Sequence, residues 1–160
     1  MEEAMEQKKT KKFNIIDVIA LVLLAAIVVF MGYKLATRKT GEGPLVNVTY
    51  KVKCEEVPVE LYETCMNHLP SPLMASGQLV GGEILSVEKL PFYVPGPNGQ
   101  WMEDPDHVSL IFTAQTTTPS GDVMTTKVGD QEVRIGKTDY ILKSEYIEFQ
   151  DGTIIDVSWE

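Results

Sequence analysis

Val46-Asn47-Val48-Thr49-Tyr50-Lys51-Val52-Lys53-Cys54 alternates apolar and polar residues without a break. Period-two alternation of this length is the signature of a strand that buries one face, so Val46, Val48, Tyr50, Val52 and Cys54 are assigned to a core. The same pattern recurs downstream in shorter pieces. Ile84 to Val87 follows Gly81-Gly82, Val108 to Thr118 reads as a strand, and Pro119-Ser120-Gly121-Asp122 reads as a turn. Val123 to Thr126, Glu132 to Ile135, Tyr140 to Leu142 and Thr153 to Val157 complete the series, with Gly129-Asp130 and Gly136-Lys137 as turns. Short β-branched runs separated by Gly and Asp turns predict an antiparallel or mixed β-domain. One helix interrupts it. Pro58 to Leu69 places Leu61, Cys65, Met66 and Leu69 at helical spacing between Pro58 and Pro70. The expected fold is therefore mainly β with one short helix (α+β), a compact barrel-like or sandwich domain.

Two halves of this domain resemble one another. Val46 to Val52 matches Val108 to Ala114, and Gly81-Gly82-Glu83-Ile84-Leu85-Ser86-Val87 matches Asp151-Gly152-Thr153-Ile154-Ile155-Asp156-Val157. The pattern suggests a pseudo-duplicated barrel of halves 46–90 and 108–160, against the alternative of chance likeness between β-rich segments. Between the halves, residues 91–107 carry Pro91, Pro95, Gly96, Pro97, Gly99 and Pro105, a composition that predicts a long loop and excludes a central strand or a helix.

Upstream of the β-domain, Val18 to Tyr33 contains no charged residue, and residues 13–36 together are long enough for a transmembrane helix. A buried core helix of that length would need a larger protein around it, and Lys34-Leu35-Ala36 does not suit a signal-peptide cleavage site. The expected organisation is a short cytoplasmic tail at 1–12, a transmembrane helix at 13–36, a hinge at 37–45 and an extracytoplasmic β-rich domain at 46–160. The N-terminus is expected inside and the C-terminal domain outside the cytoplasmic membrane, because lysines precede the helix and everything foldable follows it. Asp17 is the one acidic residue of the helix, either interfacial or in contact with a partner helix.

The chain has 160 residues, 14 Lys and Arg, 23 Asp and Glu, and a net charge of −9. Seven of the 14 cations and only four of the 23 acids precede Thr40, which leaves seven cations against nineteen acids and a net of −12 beyond it. Such an acidic domain excludes a phosphate-backbone partner, so no nucleic acid is expected. An anionic membrane surface would repel it as well.

Phe13-Asn14-Ile15-Ile16-Asp17, the single anchor, the Val46 to Tyr50 strand, Val133-Arg134-Ile135-Gly136-Lys137 and the close at Gly152 to Val157, taken in order, resemble the bacterial domain-of-unknown-function family numbered 4330. The resemblance covers nearly the whole chain. It implies a bacterial, single-pass, envelope-facing protein and brings no activity or catalytic residue with it. The opening Phe13 to Asp17 also resembles the start of a mature type IV pilin, although Lys12 and the helix-ending Gly41 to Pro44 depart from that pattern.

No catalytic motif, phosphate loop or dinucleotide fingerprint occurs. The densest polar cluster is Glu103-Asp104-Pro105-Asp106-His107, whose spacing fits neither a calcium loop nor a zinc site. With Trp101 beside it, the segment is the candidate binding surface, against the alternative that the indole folds back onto the barrel. Cys54 and Cys65 are candidates for a disulfide if the helix returns to the first strand, and two buried free thiols are the favoured reading. No catalytic residue, metal or cofactor is expected. Function is read as a noncatalytic, membrane-anchored envelope module that binds or assembles protein or polymer partners. An envelope-polymer enzyme using Glu103, Asp104 and Asp106 is the alternative, and a pilin-like subunit a third.

Overall fold

The alternating segment at Val46 forms the central strand of the domain. In the computed structural model, which describes residues 15–36 and 43–160 without the side chains of 17, 34–36, 124 and 125, β1 runs Leu45–Pro58. Val48, Tyr50, Val52 and Cys54 are buried along it, as the alternation requires. The other elements of this unit are α2 (Leu61–Asn67), β2 (Ser71–Ala75), β3 (Gln78–Pro95), β4 (Trp101–Pro119), a 3₁₀ helix (Ser120–Thr125), β5 (Lys127–Val128), β6 (Gln131–Glu132), β7 (Tyr140–Lys143) and β8 (Glu148–Trp159). Six strands pair in the order β2-β3-β4-β1-β8-β7, every pair antiparallel. The two ends of this sheet meet at a bridge between Leu73 and Ser144, which makes it a nearly closed barrel. Its interior is filled by side chains, among them Tyr50, Phe112, Leu110, Tyr140, Leu142 and Ile154.

The strand order reads the same when the halves are exchanged: β1, β2 and β3 take the places of β4, β7 and β8. The register is matched residue by residue. Ile84 pairs with Ala114 and Ile154 with Val52; Val87 pairs with Phe112 and Val157 with Tyr50. Between those pairs each half carries one register shift, at Leu85 in β3 and at Ile155 in β8. A bulge inserts one extra residue on one strand. It explains why burial steps by three, from Ile84 to Val87 and from Ile154 to Val157, while Leu85 and Ile155 are turned outward.

Several expected boundaries move. The loop expected at 91–107 is instead a hairpin: β3 continues to Pro95, β4 begins at Trp101, and only residues 96–100 form the turn. Prolines exclude a central strand, but this stretch is a two-stranded arm that runs beyond its neighbours, where a missing N–H is tolerated at an open edge. The helix is shorter than Pro58 to Leu69. β1 absorbs Val57 and Pro58, which pair with Val108 and His107, and Cys65 is buried while Leu61 and Met66 are exposed. Gly81-Gly82 lies inside β3 rather than before a strand, β2 is an additional strand, and Val123 to Thr126 falls largely in the 3₁₀ helix. The strand expected at Glu132 to Ile135 shrinks to two residues, in a hairpin of β5 and β6 turning at Gly129.

The other unit, described by itself, contains α1 (Ile15–Ala36), 22 residues with apolar side chains exposed all round. Counted over the described residues alone, no helix is long and apolar enough to cross a membrane. The tail at 1–12, Phe13 and Asn14, and most of the hinge at 37–45 lie outside the described residues, as does the side chain of Asp17.

Candidate functional site: the arm of β3 and β4

β2 leaves β3 after pairing with Glu83 and Ile84, and β1 leaves β4 at the pair Pro58 and His107. Beyond those points β3 and β4 pair only with each other, Tyr93 with Glu103, Val94 with Met102 and Pro95 with Trp101. The turn is closed by Gly96 N–H donating to the Gln100 carbonyl at 2.8 Å and by Gly99 N–H donating to the Gly96 carbonyl at 3.0 Å. Gly99 takes φ +74, in the left-handed region where glycine carries no steric penalty.

Trp101 is 72% exposed at the tip of this arm, Tyr93 51% and Met102 50%. Trp101 therefore does not fold back onto the barrel. Directly paired residues project to the same face of a hairpin, so Tyr93, Pro95, Trp101 and Glu103 share one face and Val94 and Met102 the other. Tyr93 and Met102 escaped the sequence reading. Pro97-Asn98-Gly99, flanked by Phe92 to Val94 and Trp101-Met102, is the hairpin signal that would have found them.

The acidic residues are divided by a large irregularity in β4. Residues 104–107 lie between the pairing of Glu103 with Tyr93 and that of Val108 with Pro91, so four residues of β4 stand opposite Phe92 alone. Asp104 organises the excursion. Its Oδ1 accepts the Asp106 N–H at 2.9 Å, and its Oδ2 lies 3.1 Å from His107 Nδ1. The Asp106 N–H, followed by His107, holds the Asp104 carboxyl below the usual carboxylate range. The Asp106 carbonyl accepts the Val59 N–H at 3.0 Å, which ties the base of the arm to the end of β1. Glu103 and Asp106 stay exposed. Among the described residues, no group of three His, Cys, Asp or Glu is placed to hold a metal ion.

Cys54 and Cys65 are both buried and unbonded, the first on the inward face of β1 and the second on α2. Burial pushes the Cys54 thiol up to about 12, and Cys65 moves in the same direction. Both thiols are thus held protonated and unreactive. Beside Cys65, a cleft of about 140 Å³ between α2 and the β7–β8 turn is lined by Leu61, Thr64, His68, Tyr146 and Phe149. His68 Nδ1–H donates to the Thr64 carbonyl at 2.8 Å, and its ring stacks at 4.8 Å on Tyr146. The imidazole is committed to holding the helix end against the turn. Lys89 Nζ lies 4.9 Å from the centre of the Tyr62 ring and holds α2 onto β3.

A family model described as Domain of unknown function (DUF4330) matches residues 6–158. No curated protein and no solved structure matches the chain.

Proposed function

The chain belongs to the DUF4330 family, and from that premise we propose that it is a noncatalytic, membrane-anchored module of the bacterial cell envelope that captures a partner with the tip of its β-arm. One observation carries the reading: three large apolar side chains, Trp101 and Tyr93 on one face and Met102 on the other, are exposed on a ribbon that has no neighbouring strand on either edge among the described residues. Aromatic residues held in the open at the end of a ribbon are a composition typical of an interface anchor. The tip also lies at the far end of β4 from Leu45, which pairs with Pro119 where the chain enters the barrel. Fully extended, the 19 residues of β4 would reach at most about 60 Å at roughly 3.3 Å per residue, and the excursion at 104–107 shortens that reach.

Anchoring is read from α1. Its described side chains run without a charge from Val18 to Tyr33, and the 22 residues of the helix measure about 33 Å at 1.5 Å per residue, comparable to the hydrocarbon layer. Asp17 and Lys34 stand near its two ends in the sequence, where ionised residues are least costly to a membrane span. Lysines 8, 9, 11 and 12 favour a cytoplasmic N-terminus, and the β-domain is proposed to stand outside.

Trp101→Ala in the full chain tests the arm. Crosslinking in native membranes should lose the partner that the unsubstituted chain captures, while the melting temperature stays within about a degree, because an exposed side chain contributes little to folding. Unchanged capture would remove the arm as the site. A single cysteine at Glu145, in a chain lacking Cys54 and Cys65, should react with an impermeant maleimide in intact cells; labelling only after permeabilisation would overturn the orientation.

A further inference from the structure

The open edges of the arm are not equivalent, and their chemistry specifies what binds there. In an antiparallel pair, residues alternate between pointing their N–H and C=O groups at the partner strand and pointing them away. Gly96 donates to Gln100, so Val94 and Met102 turn inward and the backbone groups of Tyr93, Pro95, Trp101 and Glu103 turn outward. On the β3 side the outward position at Pro95 has no donor, and Pro91 lies at the base of the same edge. On the β4 side Trp101 and Glu103 both present a donor and an acceptor, beyond the excursion at 104–107 that separates them from the last β1 pair, Pro58 with His107. Proline blunts one edge and leaves the other able to pair.

Charge selects the occupant. Residues 90–107 hold three carboxylates, Glu103, Asp104 and Asp106, and no Lys or Arg. Asp104 is engaged with Asp106 and His107, while Glu103 shares the face of Trp101 and Asp106 is exposed. A second copy of this chain would bring the same carboxylates together across the new pair, and an anionic membrane would be repelled. We propose that the β4 edge at Trp101 and Glu103 accepts an extended, cationic segment of a partner protein as an added strand. Its backbone would exchange hydrogen bonds with Trp101 and Glu103, its apolar side chains would rest on Trp101 and Tyr93, and a cation two residues further along the same face would meet Glu103, with Asp106 exposed at the base of the arm. This rests on the proposed role of the arm and names the chemistry of its partner.

The test uses the full chain in nanodiscs of zwitterionic lipid and, as probe, an octapeptide of two Val-Thr-Lys-Thr repeats, which sets valine and lysine two residues apart on one face, the spacing of Trp101 and Glu103. Saturable binding is expected, with a change in tryptophan fluorescence that Trp101→Ala removes. Glu103→Gln combined with Asp106→Asn should weaken it by about tenfold, the change of one well-placed charge contact, and rising salt should weaken it further. A peptide N-methylated at alternate residues keeps charge and apolarity but loses its edge donors, and it should not bind; nor should the counterpart with glutamate in place of lysine. Equal binding of the methylated or the acidic peptide, association of the arm with itself, or binding to anionic vesicles would overturn the proposal, as would no binding at all. If the probe fails while Trp101→Ala still abolishes capture of the native partner, the added strand is wrong and the envelope module stands. If both fail, the arm is not the site.

Discussion

The phenol oxygens of Tyr50 and Tyr140 lie 2.9 Å apart inside the barrel, with the two rings edge to face at 5.9 Å. They join the central strand β1 to the edge strand β7 across the core, and each is the other's polar partner. Tyr140→Phe should cost about 1–3 kcal/mol, because it leaves the Tyr50 hydroxyl buried without a partner. Replacing both by Phe should recover most of that loss. Urea melts of the two single variants and the double variant check it, and a double variant as unstable as the sum of the singles would show that the hydroxyls do not act as a pair.

The same burial predicts a loss of stability at alkaline pH. Burial pushes Tyr140 up to about 12 and raises Tyr50 in the same direction, with Cys54 also at about 12. The unfolded chain releases these protons near 10 for Tyr and 9 for Cys, while the folded chain keeps them. The contribution is therefore complete below pH 9 and is lost as pH rises towards 12, at up to about 1.4 kcal/mol per pH unit for each group. Chemical denaturation at a series of pH values should show this decline, and it should be shallower in Cys54→Ala and in the double Phe variant.

Gln131 is expected to act as a substitute strand. Its side-chain amide donates to the Ile141 carbonyl at 2.9 Å, and its Oε1 accepts the Ile141 N–H at 2.7 Å, so one carboxamide makes both bonds that a neighbouring strand would make to β7. Gln131→Ala should lower stability by about 1 kcal/mol and speed exchange of the Ile141 amide well beyond that global change. Gln131→Glu, which keeps the acceptor, should protect the amide in part. Exchange at Ile141 that tracks global stability alone would show that the edge is held by something else.

The glycines that precede the two bulges give a fourth expectation. A Cβ on Gly82 would lie 2.3 Å from the Gln115 carbonyl oxygen, at φ +119, and one on Gly152 would lie 2.7 Å from Val52 Cγ1 and 2.8 Å from the Tyr140 carbonyl oxygen. Gly82→Ala and Gly152→Ala should each cost several kcal/mol or block folding, as backbone atoms cannot yield cheaply. Gly77, at φ +75 with open space around it, should cost only about 1 kcal/mol when replaced by Ala.

Those glycines also mark what the sequence could and could not disclose. The likeness of Gly82 to Val87 and Gly152 to Val157 was legible, because the same bulge and the same burial step demand the same residues. Its place was not, since a glycine before an aliphatic run reads equally as a turn or as a bulge inside a strand. Alternation put Tyr50 inside but could not name Tyr140, 90 residues away, as its partner. At the arm the prolines dominated the reading and hid a hairpin, because composition does not distinguish a loop from a ribbon with free edges. Trp101 and the acids were found as a group. Only the pairing of β3 with β4 separates Asp104, which organises the bulge, from Glu103, which faces out beside the indole.

That division can be tested at the base of the arm. Asp104→Ala removes the acceptor of both the Asp106 N–H and the His107 ring, whereas Asp104→Asn keeps an oxygen for the N–H and loses the charge and the second oxygen that faces His107. Because the carboxyl is only partly buried and its partners Asp106 and His107 lie within three residues of it, global stability should change little in either variant. Exchange of the Asp106 amide should instead accelerate in Asp104→Ala and stay near the unsubstituted rate in Asp104→Asn. The Asp104 carboxyl is held below its usual range, so its hold on the bulge is complete above that range and is lost as pH falls through its folded value. Acidification should therefore mobilise the Asp106 amide in the unsubstituted chain and leave Asp104→Ala unaffected. An Asp106 amide that exchanges at the same rate in all three chains would show that Val59, through the Asp106 carbonyl, is sufficient to fix the base of the arm.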